Sequence, residues 1–159
     1  MKTNFRLKGR VRVTKRDFIT KSITYQSNWQ NNIIPDVGII AILRRLSNAG
    51  SKTNEGIITY GALGKGATAV DAGDTTMEDE IVRKPVATHS ITGLILSLEF
   101  YFTNSEGNDT ITKWALFGED ATSVADTGTM FEYISFSSPF TKSSAEDLTV
   151  EIEITEASV

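Results

Sequence analysis

"FRLKGRVRV", residues 5–13, decides the fold. Phe5, Leu7, Val11 and Val13 share one parity, and Arg6, Lys8, Arg10 and Arg12 share the other. A period of two belongs to a strand with one buried and one exposed face, and here the exposed face is cationic. The far end of the chain carries the complement. In "LTVEIEIT", residues 148–155, Leu148, Val150, Ile152 and Ile154 point one way while Glu151 and Glu153 point the other. Opposite charges facing each other across strands contribute about 0.2–1 kcal/mol per pair, and like charges in that position are unfavourable. The basic first strand is therefore expected beside the acidic last one, within one subunit or between subunits.

The charge pattern extends beyond these strands. Residues 1–50 hold ten Lys or Arg against two acids, whereas the remainder holds six against eighteen. A nucleic-acid surface needs a basic face, but this basic stripe is one strand long on an otherwise acidic chain, so no nucleic-acid partner is expected. The 159 residues, 40% hydrophobic and 23% charged, suit a single domain spanning 1–159 with its own core. The absence of cysteine excludes disulfides, thiol nucleophiles and thiolate metal sites. The apolar-rich runs near 37–46 and 94–102 fall short of the ~20 residues of a membrane helix. The start alternates instead of forming a signal sequence, so a soluble protein with no membrane partner is expected.

Between the two charged strands the pattern is mostly β. Strands are predicted over 4–14, 17–27, 86–92, 94–103, 110–118, 128–137 and 147–155, and in "GIITYGAL" at 56–63. "IIPDVGIIAILRRLSNAG", residues 33–50, changes period: Asp36 can cap, Arg44 and Arg45 fall in the later turns, and Gly50 is placed to stop a helix. Its apolar residues, Val37, Ile39, Ile40, Ile42, Leu43 and Leu46, lie on most sides and imply a helix buried against the sheet. Thr75 and Glu78 have capping-box spacing, Met77 and Ile81 share a helical face, and Pro85 would end a second, short helix. The expectation is a mainly β protein, an antiparallel β-sandwich (jelly-roll-like) with one buried helix and one short helix. "ITYGALG" at 58–64 and "ITKWALFG" at 111–118 share Ile-Thr-x-x-Ala-Leu, which would mark two equivalent strands of the sheet.

No motif points to catalysis. "GALGKGATAVDAGDTT", residues 61–76, invites a phosphate-loop reading, but Gly64-Lys65 is followed by Gly66 where a hydroxyl residue is required, and Thr59 stands where glycine is required. Gly64, Gly66 and Ala69 satisfy a dinucleotide fingerprint only nominally, because no helix opens there to aim its N-terminus at pyrophosphate. Asp71, Asp74, Glu78, Asp79 and Glu80 match no calcium-loop spacing, and the single His89 makes neither a zinc site nor a triad. No enzyme, cofactor or metal is expected. The stretch reads as a surface connection whose glycines allow tight turns and whose aspartates accept local backbone donors. Tyr60, Trp114, Phe117, Phe131, Tyr133 and Phe136 fall in predicted strands and are expected in the core or an interface.

The order of segments resembles small virion proteins of tailed bacteriophages, of the tail or tail-fibre-associated kind. The resemblance rests on the N-terminal strands and four stretches: "NNIIPDVGIIAIL" (31–43), "ITYGALGKGATAVDAGDTTMEDEIVRK" (58–84), "ITKWALFG" (111–118) and "GTMFEYISFSSPFTKSSAEDLTVEIEIT" (128–155). It implies a structural role in a virion, among other virion proteins, with no active site to carry over. Segregated charge and strand edges suit a homo-oligomer, a ring or trimer. Its candidate interface residues are Arg6, Lys8, Arg10 and Arg12, the acidic Glu151 and Glu153, and Gly64, Lys65 and Gly66 of the small-residue loop.

Overall fold

The first strand, β1 (Leu7–Asp17), lies antiparallel to the last, β10 (Glu146–Glu156), in a computed structural model that describes residues 6–47 and 50–156. Phe5 lies outside the described residues, as does the predicted beginning of the strand. The register sets Arg10 opposite Glu153 and Arg12 opposite Glu151, with Val11 opposite Ile152 and Val13 opposite Val150 on the other face. Both valines are fully buried. The expected pairing is therefore made within one subunit.

The intervening elements are β2 (Ile23–Gln26), β3 (Gln30–Asn31), α1 (Asp36–Ser47), β4 (Ile58–Gly64), β5 (Glu80–Pro85), β6 (Thr88–Thr92), β7 (Ile95–Phe102), β8 (Thr110–Gly118) and β9 (Thr129–Thr141). One sheet has the order β2-β1-β10-β7-β6, with β3 also on β1, and the other the order β5-β4-β8-β9. The chain visits them alternately in antiparallel pairs, giving the β-sandwich the alternation predicts. The two related segments become neighbours: β4 and β8 pair with Ala62 opposite Ala115 and Leu63 opposite Trp114.

Parity sorts sheet residues between two cores. Between the sheets, Val11, Val13, Phe100, Phe102, Leu148, Val150 and Ile152 meet Leu63, Ile111, Trp114, Leu116, Ile134 and Phe136. On the other face of the second sheet, Ala62, Ala115, Phe117, Met130 and Tyr133 form a smaller cluster with Met77. The 65–79 connection covers that cluster. Lys113, on the same parity as Ala115 and Phe117, is buried beneath it and donates to Thr68 O (2.6 Å) and Tyr133 Oη (3.2 Å).

This cover corrects the second-helix expectation, since α1 is the single helix among the described residues. The Glu78 carboxylate is drawn to Lys113 (2.7 Å) and to the Thr68 N–H (3.0 Å), so it cannot complete a capping box at Thr75. These contacts hold it below the usual carboxylate range, the Lys113 hydrogen bond contributing most. Glu80 begins a strand instead. Tertiary partners override the local signal.

Two glycines where this connection begins pack against its own side chains. A Cβ on Gly64 would stand 2.8 Å from Met77 Cε and Sδ, and one on Gly66, whose φ is +132°, would overlap the Glu78 side chain. Gly64 is buried and Gly66 half-buried, so a bulkier residue at 64 acts first on the packing within the subunit. Gly64→Val is expected to lower stability by about 1–3 kcal/mol through overpacking, measured as a fall in the urea midpoint at unchanged slope. The aspartates behave as predicted: Asp71 Oδ1 accepts from Gly73 N (2.9 Å) and Asp74 Oδ2 from Asp71 N (2.8 Å). No helix among the described residues is long and apolar enough to cross a membrane.

Candidate functional site

Helix α1 lies on the sandwich in an unusual orientation. Pro35 O accepts from Gly38 N (2.9 Å) and Ile39 N (3.1 Å) to open the helix, which places Asp36 in the first turn, where its charge favours the helix dipole. In the last turn Arg44 reaches Glu55 (3.0 Å) and the buried Glu119 (2.7 Å), anchoring the helix to the end of β8. Thr129, Arg44 and the Gly56 N–H all bond the Glu119 carboxylate and keep it below the usual range against the opposing effect of burial.

The face α1 buries is its smallest. Gly38 and Ala41 are its buried residues, and a Cβ on Gly38 would be 3.0 Å from Met130 O and Phe131 Cα. Small residues three apart let the helix axis approach β9 closely. The large residues turn outward: Ile39 is 39% exposed, Ile40 48%, Leu43 56% and Leu46 78%. The expectation of a buried helix is thus corrected. The apolar residues on most sides were read as surrounded by core, whereas Gly38 and Ala41 make the closest contact, Val37 and Ile42 pack at its margins, and Ile39, Ile40, Leu43 and Leu46 are left exposed.

These side chains wall a groove that continues across the end of the sandwich. One part, about 640 Å³, lies between Ile39, Ile42, Leu43 and Leu46 of α1 and the segments around Leu7 and Asn32–Ile34. The adjoining part, about 380 Å³, shares Leu7, Ile34 and Ile42 and adds Ile58, Leu96, Phe131 and Ile154, with Ile91 and Leu94 from the tip of the β6–β7 hairpin. Ile91 and Leu94 are 76% and 73% exposed. Contiguous apolar surface of this kind marks protein contact sites. Strand β6 borders it as a sheet edge exposed at every position. Its outer backbone groups can pair with another chain.

The floor contains a carboxyl group. Glu132 of β9 is buried beside Asn32 and Gly9, with Glu132 in one part of the groove and Asn32 and Gly9 in the other. Burial pushes this carboxyl well above its ordinary range, and the Asn32 hydrogen bond opposes that only in part.

The residues singled out from sequence are dispersed by the fold. Arg12 Nε and Nη2 each donate to Glu151 at 2.8 Å, and Arg10 Nε donates to Glu153 at 2.7 Å. Trp29 stacks across both guanidinium groups, 4.6 and 4.7 Å from its ring centre. These four charges are matched at home. Lys65 is tied to Asp109 (2.8 Å), which raises the lysine pKa and lowers that of the aspartate. Gly64 is buried against Met77, and the half-buried Gly66 lies against the Glu78 side chain. Of the nine, Arg6 and Lys8 line the groove.

The buried aromatic assignment holds for Trp114, Phe117, Phe131, Tyr133 and Phe136, while Tyr60 is half-buried. His89 is an exposed residue of β6 opposite Leu98. Two features escaped the sequence reading. The Gly38/Ala41 spacing could have shown which helical face approaches the sheet, and Glu132, on the parity of Ile134 and Phe136, could have been recognised as a carboxyl in the core. Comparison of the chain with protein-family models, with curated proteins and with solved structures returns no match.

Proposed function

We propose that this chain is a non-enzymatic structural component of a tailed-phage virion, in the tail, baseplate or fibre attachment, and that it self-associates through the groove beside α1. The order of its segments and the β-sandwich support that reading. The observation that carries it is the outward stripe of Ile39, Ile40, Leu43 and Leu46 on a helix that seats itself through glycine and alanine. Permanent contacts between copies are more apolar than transient ones, so a second copy of the chain is the occupant that matches this surface. The basic and acidic strands first considered as the interface are neutralised within the subunit, which moves the contact to the groove.

The test combines location with interface. Quantitative mass spectrometry of particles separated into heads and tails is expected to find the chain at low copy number in the tail fraction. High copy number with heads would make it a capsid decoration or head-fibre protein, and absence from both fractions would end the virion reading. Leu43→Glu with Leu46→Lys is expected to dissociate the oligomer in sedimentation while changing stability by no more than about 0.5 kcal/mol, the usual effect of surface substitutions. An oligomer indifferent to both changes would remove the groove as the contact.

One feature favours a second reading, a host-surface or carbohydrate-binding module. Half-buried Trp29 forms a wall of a shallow trough of about 230 Å³ lined by Thr88, Ser90, Ser97, Glu99, Glu151 and Glu153. Hydroxyls, carboxylates and an indole are groups that bind sugars. The trough is smaller and far more polar than the groove, and its Glu151 and Glu153 carboxylates are already engaged by Arg12 and Arg10.

A further inference from the structure

The geometry points to a pH-sensitive latch in the groove floor: Glu132, as a neutral carboxylic acid, and Asn32 form a closed reciprocal pair that fastens the segment entering α1 to β9. The Asn32 side-chain amide donates to Glu132 Oε2. The remaining oxygens, Glu132 Oε1 and Asn32 Oδ1, are both buried without a partner. Both also crowd the position that a Cβ at residue 9 would occupy, so Gly9 provides the space in which they meet. Two buried acceptors side by side leave each other unsatisfied. One proton on Oε1 satisfies both, because the acid then donates to Asn32 Oδ1 and the two side chains are joined by a pair of hydrogen bonds.

The surroundings favour the acid over the carboxylate. Glu132 meets Gly9 from β1, Asn32 from the end of β3 and, across the sheet, Leu116 of β8. The titratable and charged residues of the groove are Arg6, Lys8 and Glu156, and burial raises the pKa of the acid, opposed by the Asn32 hydrogen bond. A buried carboxylate without a cation protonates rather than remain charged.

The latch has a clear mechanical role. Asn32 N also donates to Gly9 O (3.2 Å), and Ile33 exchanges two backbone hydrogen bonds of 2.9 Å with Tyr133. Together these hold the approach to α1 against β9 and fix Ile34, which belongs to both parts of the groove. Loss of the proton places a charge in this floor, which must hydrate and open the pair. The latch depends on the fold of one subunit, whereas its effect on assembly rests on the proposed function.

The test uses full-length protein and Glu132→Gln, whose amide can make the same two hydrogen bonds without titrating. Carbon-13 NMR of the wild-type side-chain carboxyl is expected to show Glu132 still protonated at neutral pH. The folded group has the higher pKa, so the unfolded chain loses its proton first as pH rises. Relative to Glu132→Gln, the wild-type unfolding constant is expected to rise tenfold per pH unit from the ordinary carboxylate range up to the pKa of Glu132 in the fold. Titration of Glu132 in the ordinary carboxylate range, or a ratio between the two proteins that does not change with pH, would overturn the latch. If the variant fails to fold, the wild-type titration alone decides. Sedimentation of both proteins at neutral and alkaline pH separates the two proposals. A wild-type oligomer that dissociates with rising pH while the variant persists supports both, and a neutral Glu132 in an oligomer indifferent to pH keeps the latch and counts against the groove.

Discussion

Trp114→Ala is expected to lower stability by about 3–5 kcal/mol, the range for removing a large aromatic from a core. Domains of this kind commonly have about 5–15 kcal/mol in total, so one substitution removes a large share. Trp114 is fully buried at the centre of the second sheet, its ring 5.1 Å from that of Phe100 and 6.2 Å from that of Phe102, both edge-on. Those phenylalanines belong to β7 in the opposite sheet, so the indole joins the two layers. Gly61 of β4 is fitted to it as well, since a Cβ there would overlap the indole ring. Alanine would leave a void that this network cannot fill. Trp114→Phe separates cavity from chemistry: it keeps an aromatic ring and removes the indole N–H, which is buried without a partner, so its loss should be clearly smaller. Urea unfolding followed by near-ultraviolet circular dichroism measures both. A change below about 1 kcal/mol for alanine, a typical single-substitution effect, would mean that the sheets do not meet at this residue.

Legibility in the sequence followed exposure. β1 and β10 each have one buried and one solvated face, so their alternation revealed strand, facing and partner at once. In β8 that signal is blurred because the sheet is covered on both sides, and residues 113–118 are all buried. The helix period of 36–47 was legible, but its orientation was not. Hydrophobicity alone puts leucine and isoleucine inward, whereas close approach to β9 requires Gly38 and Ala41 there. The capping-box signal at 75–78 failed because Lys113, about 35 residues away in sequence, supplies a stronger partner for Glu78. The candidate interface suffered in the same way. Arg10, Arg12, Glu151 and Glu153 advertise complementarity, and the fold spends it on joining the two ends of one chain. Such long-range partners decide the site and are absent from any local window.

Arg83→Ala is expected to cost about 3–5 kcal/mol, the penalty for leaving one member of a buried ion pair alone. The Arg83 and Glu80 side chains are only 1% and 4% exposed, and Nη2 of the arginine donates to the carboxylate at 2.6 Å. Nη1 donates to the carbonyl oxygens of Thr127 (2.9 Å) and Thr122 (3.2 Å), and the guanidinium lies 4.3 Å from the centre of the Phe117 ring. One side chain thus fastens β5 to the connection between β8 and β9 and covers the smaller core. Alanine would leave Glu80 charged in a dry site and two carbonyls without their donor. Lysine should rescue little, because a point charge on a flexible stem cannot reproduce the planar fork. The informative comparison is Arg83→Met with Glu80→Leu, which removes both charges while retaining apolar volume. Since replacing a whole buried pair is often neutral, this double variant should recover much of what Arg83→Ala loses, short of the carbonyl contacts. A double variant as unstable as Arg83→Ala would locate the stabilisation in the Thr122 and Thr127 carbonyls rather than in the ion pair, and urea titration of the single and double variants distinguishes the two.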